Sequence, residues 1–417
     1  MALISRTSWA LVLSFLATSG AASKCPGGNP VQGAGKALYL ITNDEANGVV
    51  SLRIGADGQL SPGSLTSTNG AGSVALNSDN QPATPDALVS QSALTVVGNF
   101  IFAVNAGSNT LSMLSISPSD PTRLSLIGTP VAVPGEFPNT VTASLKNRLV
   151  CVGASGKLAG VSCAKFSRNQ LGAMDALRPF DLGQTTPPVG PTNTVSQVFF
   201  SADELTVFAT VKGDPPTNKT GFISSFPVTK MQQRLPQGRM SSISAVSTQE
   251  KRSSPAGTAV LFGSQSIPGN GNGSKVFATD ASFGAAVLSV NPTTGEATVL
   301  GKGTVQGQKA TCWATISAKT GTAFVTDVGV NRIVEMSLTD ASILGEIDLS
   351  KVNNDPGLID LRASGDFLYA LSPGNGTTPA AVTVVRVSGN SAGKQQVQHF
   401  ELVGLAGSRA MGMAVRE

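Results

Sequence analysis

Phe100-Ile-Phe-Ala-Val-Asn-Ala-Gly-Ser-Asn-Thr-Leu-Ser-Met-Leu-Ser-Ile116 is the stretch that decides the fold. Two apolar runs, residues 100–105 and 109–116, flank a turn of small polar residues. Apolar side chains at every second position fall on one face of an extended chain, so each run reads as a strand and the two as a hairpin. An earlier copy is Ala37-Leu-Tyr-Leu-Ile-Thr42 with Gly48-Val-Val-Ser-Leu-Arg-Ile54. Later copies begin at Leu149-Val-Cys-Val152, Thr206-Val-Phe-Ala-Thr210, Lys275-Val-Phe-Ala-Thr279, Thr322-Ala-Phe-Val-Thr326 and Asp366-Phe-Leu-Tyr-Ala370, each followed by a second apolar run.

With Leu38, Ile101, Leu149, Val207, Val276, Ala323 and Leu368 as landmarks, the repeat is 45 to 69 residues long. A repeat of that size holds about four strands and marks a propeller blade. Apolar strands also stand upstream of most landmarks: Thr140-Val-Thr-Ala-Ser144, Val195-Ser-Gln-Val-Phe-Phe200, Thr311-Cys-Trp-Ala-Thr-Ile316 and Leu358-Ile-Asp-Leu-Arg362. These are expected to line a central channel. The first unit has no such strand within residues 24–36, and Arg409-Ala-Met-Gly-Met-Ala-Val415 can supply it. The expectation is an all-β, seven-bladed β-propeller closed by N- and C-terminal strands in one blade. A closed ring leaves few exposed edges.

Composition fits this reading. Of 417 residues, 46 are Gly and 24 are Pro, yet 41% are hydrophobic, which favours many short strands joined by turns over disorder. The net charge of +4 comes without a basic block, the longest basic run being Lys251-Arg252. Phosphate neutralisation needs concentrated Lys and Arg, so nucleic acid is excluded as a partner. Arg6, the apolar residues 9–17 and the small residues 18–23 read as a signal peptide over 1–23, leaving 24–417 as a single propeller domain. No apolar run reaches the ~20 residues of a membrane span. The expected product is a secreted monomer, extracellular or in a cell wall.

In an oxidising compartment four cysteines imply disulfides. Cys151 and Cys163 flank a hairpin and are expected to pair across it, leaving Cys25 with Cys312. The other two pairings stay open, as does Cys312 being a buried thiol. There is no Cys-x-x-Cys and one histidine, His399, so neither zinc nor a cofactor is expected. Asn218-Lys-Thr, Asn272-Gly-Ser and Asn375-Gly-Thr are sequons in loop-like segments, pointing to a glycoprotein. The longest irregular segment is residues 230–257. It contains the dibasic Lys251-Arg252, read as an uncut solvated loop, with cleavage there as the alternative.

Three phrases resemble the lactonase-type seven-bladed propellers, in particular the secreted 3-carboxymuconate cyclase-like proteins. They are Ala103-Val-Asn-Ala-Gly-Ser-Asn-Thr-Leu-Ser112, Gln197-Val-Phe-Phe-Ser-Ala-Asp-Glu-Leu-Thr-Val-Phe-Ala-Thr-Val-Lys-Gly213 and Thr311-Cys-Trp-Ala-Thr315. Some fungal members of that family are cell-wall glycoprotein antigens. Its enzymes lactonise a carboxymuconate or open a sugar lactone, so the resemblance implies His, Arg and acidic side chains in the central channel. This chain departs from that pattern. His399 lies in an outer strand, and Phe137-Pro-Asn-Thr140 stands where related lactonases often carry histidine.

Channel-side candidates are Asn139, Asn193, Gln197, Lys309, Asp360, Arg362 and Arg409. Arg362, Arg409 and Lys309 would bind carboxylates and Asp360 would act as a base. The competing account is that Asp360 and Arg362, two apart on one strand, form a structural pair. A Ser-His-Asp site is excluded, with no Gly-x-Ser-x-Gly elbow. Gly269-Asn-Gly-Asn-Gly273 lacks the Lys-Ser/Thr of a phosphate loop. Two functions remain: a secreted, glycosylated surface protein or adhesin that binds a host or cell-wall component, and a lactonase or cycloisomerase acting on a small anionic carboxylic acid.

Overall fold

The computed structural model describes residues 35–234, 240–269, 274–388 and 393–417. Within them the seven copies become seven antiparallel sheets of four strands in sequential order, three with a short fifth strand. Every landmark sits on the second strand of its blade. The innermost strands are Met411–Arg416, Leu94–Val97, Pro138–Ser144, Val195–Phe200, Leu261–Ser266, Thr311–Ser317 and Ile359–Ser364, each touching its neighbours around the ring. Met411–Arg416 pairs with Ala37–Ile41, so blade 1 takes its inner strand from the far end of the chain as expected.

Blades pack face to face, which explains why second strands such as Phe100–Asn105 and Phe367–Ser372 are buried along their whole length. Aromatic side chains fill the wedges. Phe166 of blade 3 meets Phe102 and Phe100 of blade 2 edge-on at 4.9 and 5.9 Å, and Phe262 of blade 5 meets Trp313 of blade 6 at 5.1 Å. The chain's two tyrosines do one job: Tyr39 donates to Pro121 O across blades 1 and 2, and Tyr369 to Gly58 O across blades 7 and 1.

One expectation is corrected. The described residues of the segment 230–257 are largely in strands, not an irregular loop. Phe222–Arg234 and Met240–Val246 form a long hairpin, and Lys251–Ser253 is a further short strand on Ile223–Ser225. Alternating Ser with Ile243 and Ala245 was too weakly apolar to read as a strand, but backbone pairing along the edge of blade 4 needs little apolar surface. Lys251 and Arg252 are therefore in a ladder. Arg252 also pairs with Glu250 and lies 4.0 Å over the Phe222 ring.

Cys151 and Cys163 are directly opposite in the hairpin register and form a disulfide. Cys312 is buried and has no disulfide partner among the described residues, while Cys25, residues 1–23 and Asn272 lie outside them. Asn218 and Asn375 are exposed in turns. Among the described residues no helix is long and apolar enough to cross a membrane, and no three His, Cys, Asp or Glu are grouped to hold a metal.

Candidate functional site: the axial channel

An innermost strand has a neighbour on its outer side only, so its axis-facing N–H and C=O groups need other partners. From blade 3 round to blade 1, a side chain of each inner strand supplies one to the next. Thr140 Oγ1 accepts from Val198 N, Gln197 Oε1 from Ser264 N, Gln265 Oε1 from Ile316 N, Thr315 Oγ1 from Ala363 N, and Asp360 Oδ2 from Met413 N. The last of these bonds holds blade 7 to the closing strand at 2.8 Å.

The chain itself occupies the axis. The connection between blades 1 and 2 dips into the ring, and residues 87–93, Ala-Leu-Val-Ser-Gln-Ser-Ala, are buried there. This segment carries no charge, so its burial strands no ion. Its backbone and amides are bonded on several sides. Gln91 N donates to Ser196 O, the Gln91 side chain donates to Ala314 O and accepts from Ala314 N, and Trp313 Nε1 donates to Ser90 O. Asn139 Nδ2 donates to Leu88 O, and Val141 N donates to Ser92 O. Val89 and Ser92 are held at φ 48° and 66°, left-handed values costly for residues with a Cβ and sustained here by those bonds.

Beyond the segment, the second halves of the inner strands line an axial cavity of about 470 Å³. Arg362 faces it, with Gln197 and Glu204 also in the lining. Arg362 is already engaged: its Nη1 donates to Asp360 Oδ1 and Leu361 O, and its Nη2 to Ser92 Oγ. Asp360 is fully buried at φ 44° and also accepts from Leu361 N. Burial pushes its carboxyl above the usual range, opposed by the Arg362 charge.

The sequence candidates thus do not converge. Asp360 and Arg362 pair with each other. Lys309 is exposed on a turn where its backbone N–H bonds Asp327, and neither Lys309 nor Arg409 lines the axial cavity. Asn193 turns away to Leu182 O, and Asn139 is buried against the axial segment. His399 lies in the outermost strand of blade 7, with Nε2 3.1 Å from both oxygens of Asp355.

Two residues went unread in the sequence. Gln91 belongs to the axial segment. Lys212 follows the apolar strand Thr206–Val211 and is fully buried, donating to Val89 O and lying 4.4 Å over the Phe262 ring. Asp86 is near it: burial pushes the Asp86 carboxyl up and the Lys212 ammonium down, with their mutual attraction opposing both. Burial also pushes the Cys312 thiol up, so no reactive thiolate is built here. A lone lysine ending an apolar strand was the available signal for this group.

No family profile matches the chain, and no curated protein matches it in sequence. Solved structures do match. The periplasmic gluconolactonase PpgL of Pseudomonas aeruginosa is 15% identical with a TM-score of 0.59, over 90% of this chain and 99% of that one. A functionally unknown protein from Desulfotomaculum acetoxidans is 15% identical with a TM-score of 0.49, over 73% and 80%. A protein from Lactobacillus plantarum is 12% identical with a TM-score of 0.46, over 70% and 79%. At 15% identity the likeness to PpgL is one of fold alone. The chain is a seven-bladed propeller of an architecture shared with a lactonase.

Proposed function

We propose that this chain is a secreted, glycosylated propeller that works by binding, as a surface or cell-wall protein of the adhesin or antigen kind. The observation that carries this reading is the partly filled axis with its polar side chains already bonded. Where a propeller enzyme needs an uncommitted acid or base facing open space, residues 87–93 take part of the axis, and Asp360, Arg362 and Gln197 beside the remaining cavity bond to each other's strands and to the segment. The Cys151–Cys163 bridge supports an oxidising compartment, and exposed Asn218 and Asn375 support glycosylation. The second reading, a lactonase or cycloisomerase acting on a small anionic carboxylic acid, draws on Arg362 facing the 470 Å³ cavity. One experiment separates the two. Purified secreted protein is incubated with 3-carboxy-cis,cis-muconate and with glucono-lactone, beside an Arg362→Ala variant. The binding reading expects no turnover above buffer from folded protein. Turnover that disappears in the variant would establish the enzyme instead.

A further inference from the structure

A second concavity lies away from the axis. It is an open cleft of about 830 Å³ between blades 2 and 3, on the face that carries the turns joining first to second strands. Arg123, Arg148 and Arg168 line it, over a floor that includes Phe100, Leu124 and Leu145. All three arginines are exposed, and none makes a side-chain hydrogen bond or ion pair with a described residue. Five other arginines, Arg53, Arg178, Arg252, Arg332 and Arg362, are each paired with a carboxylate, and Arg416 donates to Asn99 Oδ1. Among the described residues no carboxylate lines this cleft.

The backbone supplies a second, independent observation. In blades 2, 3, 4, 6 and 7 the turn between first and second strands holds one left-handed residue. It is Gly98, Gly321 and Gly365 in three of them, where glycine adopts positive φ at no steric cost. In blade 4 it is Glu204, whose carboxylate is tied to Ser144 Oγ. In blade 3 it is Arg148, at φ 54°, strained and without an intramolecular bond to hold its side chain there. An arginine kept where glycine is the low-energy choice, aimed at a cleft with two more free guanidiniums, is arranged for something outside the chain.

We infer that this cleft binds an acidic polysaccharide, a chain of sugars bearing carboxylate or sulfate groups. Guanidinium forks match both anions in two-point geometry, and the apolar floor suits the C–H face of a sugar ring. A repeating polyanion can offer each of the three guanidiniums an anionic group of its own along the open cleft. The inference deepens the binding reading by naming a ligand class.

The test uses the full secreted protein and calorimetric titration. The probes are a polygalacturonate hexasaccharide (carboxylate), a heparin-derived hexasaccharide (sulfate) and a neutral β-1,3-glucan hexasaccharide. Arg148→Gly is the central variant, because it removes the charge and relieves the turn, so it folds at least as well as the parent. Arg123→Gln and Arg168→Gln complete a triple variant. A control replaces three exposed lysines elsewhere, Lys36, Lys157 and Lys275, by Gln. At least one acidic probe should bind and the neutral one should not. Each arginine removed should weaken binding about tenfold, as expected for a charge-assisted contact, and the lysine control should change it less than about twofold. Whichever acidic probe binds more tightly identifies the anion. Equal losses in the arginine and lysine variants would mean non-specific attraction to a basic protein and overturn the inference. Binding of the neutral probe as strongly, or of no acidic probe, would also overturn it. None of these outcomes depends on turnover, so failure here leaves the axial reading standing and the reverse holds equally.

Discussion

Replacing Asp360 by Ala tests whether this carboxylate is a fastener or a catalytic base. In the fastener account the cost has three main parts, besides the local bond from Leu361 N. Met413 N–H loses its bond to Asp360 Oδ2, which costs about 2 kcal/mol for a buried donor. Arg362 loses its ion-pair partner; because its side chain is 19% exposed, water recovers part of that loss and about 1 kcal/mol remains. Ala at φ 44° adds about 1 kcal/mol over Asp, which tolerates the left-handed region better. The total is about 4 kcal/mol. Asp360→Asn keeps an oxygen for Met413 N–H and tolerates the backbone, so it should cost about 1–2 kcal/mol. Urea unfolding followed by the fluorescence of buried Trp313 measures both. In an Asp360→Ala, Arg362→Ala double variant the loss should be smaller than the sum of the two single losses, since the pair is in direct contact. An Ala variant within about 1 kcal/mol of the parent and no worse than Asn would refute the reasoning. Full stability with lost turnover would hand Asp360 back to catalysis.

Gln91→Ala should destabilise by about 2–4 kcal/mol in the same assay, because it unpairs both the N–H and the C=O of buried Ala314. Replacing Cys151 and Cys163 together by Ser should cost about 3 kcal/mol, from the chain-entropy relation applied to their sequence separation of 12. Reduction of the parent with a thiol should reproduce that loss in its melting temperature. The hydrogen bond to Asp355 raises the protonation point of His399 above 6.5, with burial opposing. A raised histidine stabilises fully below its unfolded value and loses that contribution as pH rises through the folded one. His399→Gln should therefore cost about 1 kcal/mol at pH 5.5 and little at pH 8.5; an equal cost at both would refute the protonation account.

The blades were legible because the signal was redundant. Phe100-Ile-Phe-Ala-Val-Asn105 and its six relatives each carry strand, turn and strand, and no single weak copy could hide a period that the others set. The closing strand was legible by subtraction, since the first unit lacked an inner strand and Arg409–Val415 had none to pair with. The hairpin Cys151–Cys163 followed from local spacing. The axial segment was not legible. Ala87-Leu-Val-Ser-Gln-Ser-Ala93 has no periodicity of its own, and its position depends on seven inner strands that exist only after the ring closes. The same holds for the candidate site. Asp360 and Arg362 share a strand, so their pairing could be weighed in advance, whereas Lys309 and Arg409 sit at turns whose direction sequence spacing does not encode. The arginine cleft joins Arg123 to Arg148 and Arg168 across a blade boundary, and no local pattern links them.

Placing Met411–Arg416 beside Ala37–Ile41 ties the order of synthesis to the order of assembly. The first blade is synthesised early but keeps one flank unpaired until Met411–Arg416, far along the chain, has been made. Until then the half-made ring is a nascent-chain client with a sticky seam. A product released before Met411 lacks the latch and leaves the inner edge of Ala37–Ile41 unpaired. A ring sealed by its two ends therefore makes every blade depend on the strand Met411–Arg416.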